Sequence, residues 1–222
     1  MSLTTPVKIP KLIKGMFPKY IWNMPLNIDK TIYLTFDDGP TPEITDWTLK
    51  TLKQYNAKAT FFCIGNNVEK HPEIFNRILK DGHTVGNHTH NHIKGWKTKK
   101  KDYLQNIEKA QKTFALHLES NKHQVPRLFR PPYGQITPKQ GKDILKKGYQ
   151  VIMWEIISID WDKNIAPETC LNNVINTAKN GSVIVFHDSV KASKNMMYAL
   201  PKVLEYYSKK GYAFKAITST PE

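Results

Sequence analysis

The chain has 222 residues, 33 of them Lys or Arg against 19 Asp or Glu, for a formal net charge of +14. That length suits one domain with a core that needs no staples, and the lack of any run of about 18 apolar residues argues against a membrane-crossing helix. The charge predicts attraction to polyanions. Yet the lysines are scattered apart from KTKKK (97–101) and are not interleaved with aromatic residues, so no nucleic-acid partner is expected.

Residues 1–28 are basic and punctuated by proline, and they read as an arm lying over a domain that runs from 29 to 222. The arm has neither an apolar core of signal-peptide length nor a small-residue cleavage site. A cytoplasmic or membrane-peripheral location is favoured, unless an export signal has been removed, and the arm is a candidate membrane contact. Strands are predicted at TIYLTF (31–36), ATFFCI (59–64), HTVGNH (83–88), RLF (127–129), YQVIMWEI (149–156), SVIVFH (182–187) and YAFKAI (212–217). Several are nearly continuous in β-branched and aromatic residues, as strands covered on both faces are. Helical periodicity marks 43–56 and 102–119, a Thr-Pro start and a Gly stop mark 137–148, and Gly stops end 167–181 and 195–211. Pro201 is expected to kink or restart the last helix. Cys63 and Cys170 lie too far apart for a metal or redox motif and read as buried, reduced thiols.

Seven strands alternating with helices predict a parallel α/β architecture in a single domain, either an open sheet or a barrel. Both gather function at the C-terminal ends of their strands. The residues at those ends are polar: Asp37-Asp38-Gly39, then His88, His90 and His92, then RPPYG (130–134), SIDW (158–161) and His187-Asp188. By itself DDGP reads as a turn, and adjacent carboxylates repel unless a cation offsets them. GNHTHNH (86–92), taken as a helical turn, puts His88 and His92 on one face and His90 elsewhere. Two imidazoles, a carboxylate and an open position describe a hydrolytic metal site. His83 and His90 read as structural or exposed, and His71, His117 and His123 as surface residues. Asp188 is expected to cap the turn after it.

In this order and spacing, TFDDGP (35–40), HTHNH (88–92), RPPYG (130–134), IDW (159–161) and IVFHD (184–188) resemble the motifs of the polysaccharide deacetylase family, the NodB-homology domain of carbohydrate esterase family 4. The resemblance implies a distorted (β/α)7 barrel and a metal-dependent hydrolase that removes N-acetyl groups from an N-acetylated sugar, neutral or anionic, such as an N-acetylglucosamine-containing glycan. It makes Asp37 the catalytic base and Asp38, His88 and His92 the ligands of one divalent metal. Zinc suits these ligands best, and cobalt, nickel or manganese could replace it. Arg130 would orient Asp37 through a bidentate pair, the Tyr133 N–H would donate to the oxyanion, His187 would be the general acid and Asp160 would set its charge. Trp161 and Val185 would wall the acetyl pocket.

Two positions depart from the family pattern. Ile157 stands where relatives often carry an acidic residue, and Glu155 where an aspartate is common. Both are expected to shape the pocket and the histidine's surroundings. Other readings of the site are hydrolysis of a different amide, a cyclic imide or an O-acetyl ester, or a catalytically silent glycan-binding relative.

Overall fold

The apolar run at 31–37 forms strand β1 (Thr31–Asp37), buried from end to end. The computed structural model describes residues 6–26, 29–118 and 125–218. On one side of β1 lie β2 (Thr60–Cys63), β3 (Thr84–Asn87), β4 (Leu128–Phe129) and β5 (Gln150–Val151). On the other lie β7 (Val183–His187) and β6 (Ile156–Ile157). Every pair is parallel. A short β8 (Ala213–Phe214) adds to the start of β1. The sheet curls into the expected distorted barrel, open at one seam.

Side chains alternate across each strand, and the alternation builds the site. On β1, Ile32, Leu34 and Phe36 join the core beneath the helices. Tyr33 instead joins Phe62, Leu128, Ile152 and Val183 in a second cluster. Thr35 and Asp37 continue the Tyr33 row. β7 alternates in the same way: Ile184 and Phe186 pack outward, and His187 shares the row of Val183 and Val185. Asp37 and His187 are register partners on neighbouring strands, so their side chains emerge together at the C-terminal edge.

The helices are α1 (Lys11–Met16), α2 (Ile44–Gln54), α3 (Gly65–Lys70), α4 (Pro72–Lys80), α5 (Lys100–Leu116), α6 (Pro138–Lys146), α7 (Pro167–Ile175) and α8 (Ser193–Lys209). α6 begins with a capping box between Thr137 and Gln140. α4 went unassigned in the sequence, although Pro72 sits in its first turn and Ile74, Phe75, Ile78 and Leu79 form its buried face.

Two expectations need correction. The predicted strand 149–156 is two strands, because the chain leaves β5 on one edge of the sheet and enters β6 on the other. α8 runs through Pro201 as one helix. Burial of Ala199, Leu200, Val203 and Leu204 on either side of the proline outweighs the backbone bond that its missing N–H removes.

The arm closes the open seam. The Ile21 N–H donates to Val151 O and the Met153 N–H to Ile21 O, while the Ile9 N–H donates to Glu155 O and the Ile157 N–H to Val7 O, all at 2.7–3.0 Å. Tyr20, Trp22 and Met24 are buried there, and Lys14 Nζ reaches Glu155 Oε1 at 3.0 Å.

Candidate active site

In an extended strand Asp37 and Asp38 would point to opposite faces. Asp38 instead takes φ 81°, a left-handed conformation that is uncommon outside glycine, and both carboxylates line one cavity of about 610 Å³. Asp188 holds this bend from below. Its Oδ1 accepts the Gly39 N–H at 3.1 Å and its Oδ2 accepts the Thr45 hydroxyl at 2.5 Å. A Cβ on residue 39 would sit 2.1 Å from Asp188 Oδ2, so the position requires glycine. Asp188 therefore braces the β1 loop rather than capping its own turn. Burial pushes its carboxyl up to about 8.

His88–His92 is not a helical turn. β3 ends at Asn87, and the loop beyond it bends at Thr89 (φ 63°) and His92 (φ 52°). The Asn87 side chain accepts the Thr89 N–H, and the Asn106 side chain accepts the N–H groups of both His90 and Asn91. Nδ1 of His88 lies 2.8 Å from Arg130 O, which leaves its Nε2 free to face the cavity. Burial holds His88 down to about 4 against the pull of Asp37, so the ring is neutral, as a metal ligand must be.

Nε2 of His92 and Nε2 of His88 lie 3.1 and 3.7 Å from Asp38 Oδ1. That oxygen is buried yet has no hydrogen-bond partner among the described residues. The three donor atoms fall within 4.8 Å of one another. Tetrahedral zinc with ligand bonds near 2.0–2.1 Å would separate its donors by about 3.3 Å. The set fits a divalent cation in composition and spacing. Burial opposes ionisation of Asp38, but the His92 contact and the fields of His187, His88 and His92 hold its carboxyl well below the usual range.

Arg130 is fully buried. Its Nη1 donates to Asp37 Oδ1 at 2.8 Å and to Thr35 Oγ1 at 2.6 Å, while Nε and Nη2 donate to the carbonyls of Ile152 and Met153 at 3.1 and 2.7 Å. The pairing with Asp37 is thus through a single nitrogen and not bidentate, because the rest of the fork is bonded elsewhere. The guanidinium lies 4.1 Å from the centre of the Phe62 ring.

Asp160 is buried and meets His187 twice, with Oδ1 2.7 Å from Nδ1 and Oδ2 2.7 Å from the main-chain N. Burial alone would lower the imidazole's pKa, but Asp160 outweighs it and raises it to about 9. The Trp161 ring stands edge-on to His187 with centroids 5.1 Å apart. Tyr133 takes φ 59°, stacks at a tilt 4.6 Å from His92 and lines the cavity with Trp161 and Val185.

All ten residues singled out for the site therefore converge here or brace it. The departures behave differently from each other. Ile157 lines the cavity. Glu155 does not, since its carboxylate binds Ser182 Oγ at 2.8 Å as well as Lys14. His90 is buried beside Glu69, and His83 is buried where its Nδ1 accepts the Ala59 N–H. His71 and His117 are half-buried at helix ends rather than on the open surface, and His123 lies outside the described residues. Both cysteines are free and buried. Sequence reasoning missed Thr35, Asn87, Asn106 and Trp154, the last of which lines the cavity. Only Thr35, two residues before Asp37 and so on the same strand face, carried a signal.

A sequence model of the polysaccharide deacetylase family matches residues 27–152. The chain belongs to the polysaccharide deacetylase family. It is 36% identical over 199 residues to a peptidoglycan-N-acetylglucosamine deacetylase of Bacillus cereus, covering 89% of this chain and 90% of that protein. To chitin deacetylase 2 of Saccharomyces cerevisiae it is 32% identical, over 77% of this chain and 54% of that one. A solved structure of the peptidoglycan N-acetylglucosamine deacetylase Bc1960, in complex with an N-hydroxybenzamide, superposes with a TM-score of 0.84 at 33% identity, covering 94% of this chain and 95% of that chain. The deacetylase fold thus extends beyond the matched segment to the loop after β6, which carries Asp160, and to β7, which carries His187.

Proposed function

We propose that this protein is a metal-dependent N-deacetylase of N-acetylglucosamine-containing glycans, with cell-wall peptidoglycan as the first candidate substrate. The observation that carries the reading is that Asp37 and His187, each held by its own partner, open on one cavity that also contains Asp38, His88 and His92. The names of the relatives point to the same substrate class. A divalent metal, zinc first, held by Asp38, His88 and His92 would supply a Lewis acid that acidifies water and polarises the amide carbonyl.

The chain's own groups supply the proton transfers and the positioning. Asp37, oriented by Arg130, takes the proton of the attacking water as the new C–O bond forms. The Tyr133 N–H donates to the oxygen that gathers charge. His187, protonated beside Asp160, gives its proton to the sugar nitrogen as the C–N bond breaks, leaving a free amine and acetate. Trp161 and Val185 enclose the methyl group. Lys191 on the cavity wall and Lys94, whose Nζ lies 4.8 Å from the centre of the Tyr133 ring, suit a glycan that carries carboxylates.

The test is acetate release from N-acetylglucosamine oligomers and from peptidoglycan, with metal content measured before and after chelation. One metal per chain, with turnover lost on chelation and restored by zinc or cobalt, is the expected result. Bound metal without acetate from any glycan would sink the substrate assignment. Failure to bind metal at all would sink the ligand set.

A further inference from the structure

We infer that helix α1 is a docking face for an anionic lipid surface. This reading is independent of the deacetylase assignment. Residues 1–28 contain four lysines (Lys8, Lys11, Lys14 and Lys19) and no acidic residue. Within that arm α1 buries none of its residues. Leu12 is 79% exposed, Met16 66% and Ile13 37%. Such a six-residue helix is too short to persist alone, so what fixes it to the domain also decides what it displays.

The fixing point is Lys14, whose Nζ is drawn to Glu155 Oε1 at 3.0 Å with only 17% of the side chain exposed. At 100° per residue, Leu12 and Met16 each lie about 160° around the helix from Lys14. Pinning Lys14 inward therefore turns both of them outward. Lys8, Lys11 and Lys19 are exposed on the same arm. Large apolar side chains standing in water cost free energy unless something covers them. Exposed apolar residues on a basic arm, with the neighbouring Glu155 carboxylate taken up by Lys14 on the opposite side of the helix, match the boundary between anionic headgroups and acyl chains. A second copy of the chain is a poorer occupant, because it would bring an equally basic arm against this one.

The experiment uses the full chain and vesicles of phosphatidylglycerol with phosphatidylcholine, beside vesicles of phosphatidylcholine alone and a soluble polyglutamate. The double substitution Leu12→Ser and Met16→Ser removes only solvent-facing side chains and leaves the Lys14 pin in place. The wild-type protein is expected to sediment with anionic vesicles at about 0.15 M salt. The double variant should bind them at least about tenfold more weakly, with an unchanged melting temperature. Equal binding by the variant would mean that the general positive charge suffices, and would overturn the role of α1. So would a wild-type protein that ignores anionic vesicles, a tenfold loss that appears equally with polyglutamate, or a dimer in solution that the double substitution dissociates.

Discussion

Asp160 holds His187 at two points, the imidazole Nδ1 at 2.7 Å from Oδ1 and the main-chain N–H at 2.7 Å from Oδ2. The consequence is an imidazole that keeps its proton up to about pH 9. A raised value means that the acid is present at neutral pH and lost as pH rises through about 9. The stability contributed by the pair has the same sign. It is complete below the ordinary histidine value near 6.5 and gone above about 9. Asp160→Asn removes the main raising influence, so the alkaline limb of kcat should move down toward the ordinary value. At pH 8 a fall from about 9 to about 6.5 leaves roughly 30-fold less of the protonated form. A pH–rate profile whose alkaline limb does not move in this variant would remove Asp160 from the mechanism.

Asp37 and Arg130 should separate activity from stability. Asp37→Asn is close to isosteric and keeps an acceptor for Arg130, so the fold and metal binding should survive while acetate release falls by about 10²- to 10⁴-fold. Arg130→Met is different. It strips the donors from Thr35, Asp37 and the carbonyls of Ile152 and Met153, all of them buried, and should cost about 3–5 kcal/mol of folding free energy. Denaturant midpoints for the two variants make the comparison. Equal stabilities would show that the buried fork holds less than its bonds suggest.

The three histidines of the β3 loop invite a direct comparison by zinc titration. His88→Ala and His92→Ala should each abolish stoichiometric metal binding. His90→Ala should keep it, because that ring is turned away toward Glu69, and should cost only about 1–2 kcal/mol of stability for the buried volume it leaves. Loss of metal in His90→Ala with retention in His92→Ala would reverse the ligand assignment.

The candidate catalytic side chains were legible because each comes at or just after the C-terminal end of a strand, and parallel sheets collect function at that edge. The central strands were legible for a related reason. Being covered on both faces, they read as unbroken apolar runs. The backbone between them stayed hidden. Asp38, Thr89, His92, Tyr133 and Ile159 all take positive φ without being glycine, and all sit in loops of the site. No periodicity announces such residues, since tertiary contacts impose them. This is why His88–His92 read as a helical turn, and why the second aspartate's inward bend could not be seen. The split of 149–156 was hidden by composition, because apolar residues suit one long strand as well as two short ones. Glu155 looked like a pocket residue through its place in a motif, yet its partners, Lys14 and Ser182, are 141 and 27 residues away.

That last contact yields a stability prediction. The arm bonds to the backbone of Val151, Met153, Glu155 and Ile157, the segment whose carbonyls at Ile152 and Met153 receive Arg130. Lys14→Met leaves Glu155 without its cation while Ser182 still donates to it, and should cost about 1–3 kcal/mol near pH 7. Burial opposes ionisation of Glu155, but Ser182 and Lys14 together lower its pKa. A lowered carboxylate contributes stability that is present above its ordinary value and lost as pH falls through the folded one. The gap between Lys14→Met and the wild type should therefore narrow as pH falls through the lowered folded value and the carboxylate takes up its proton in both. Glu155→Gln should narrow it in the same way at pH 7, because the Lys14 charge then has little left to pair with. Because Arg130 is held through the same segment, acetate release by Lys14→Met should fall as well, and Lys14→Arg should restore it. Urea midpoints measured from about pH 3 to about pH 8 decide the case. A gap independent of pH would mean that Lys14 acts through its aliphatic stem and not its charge.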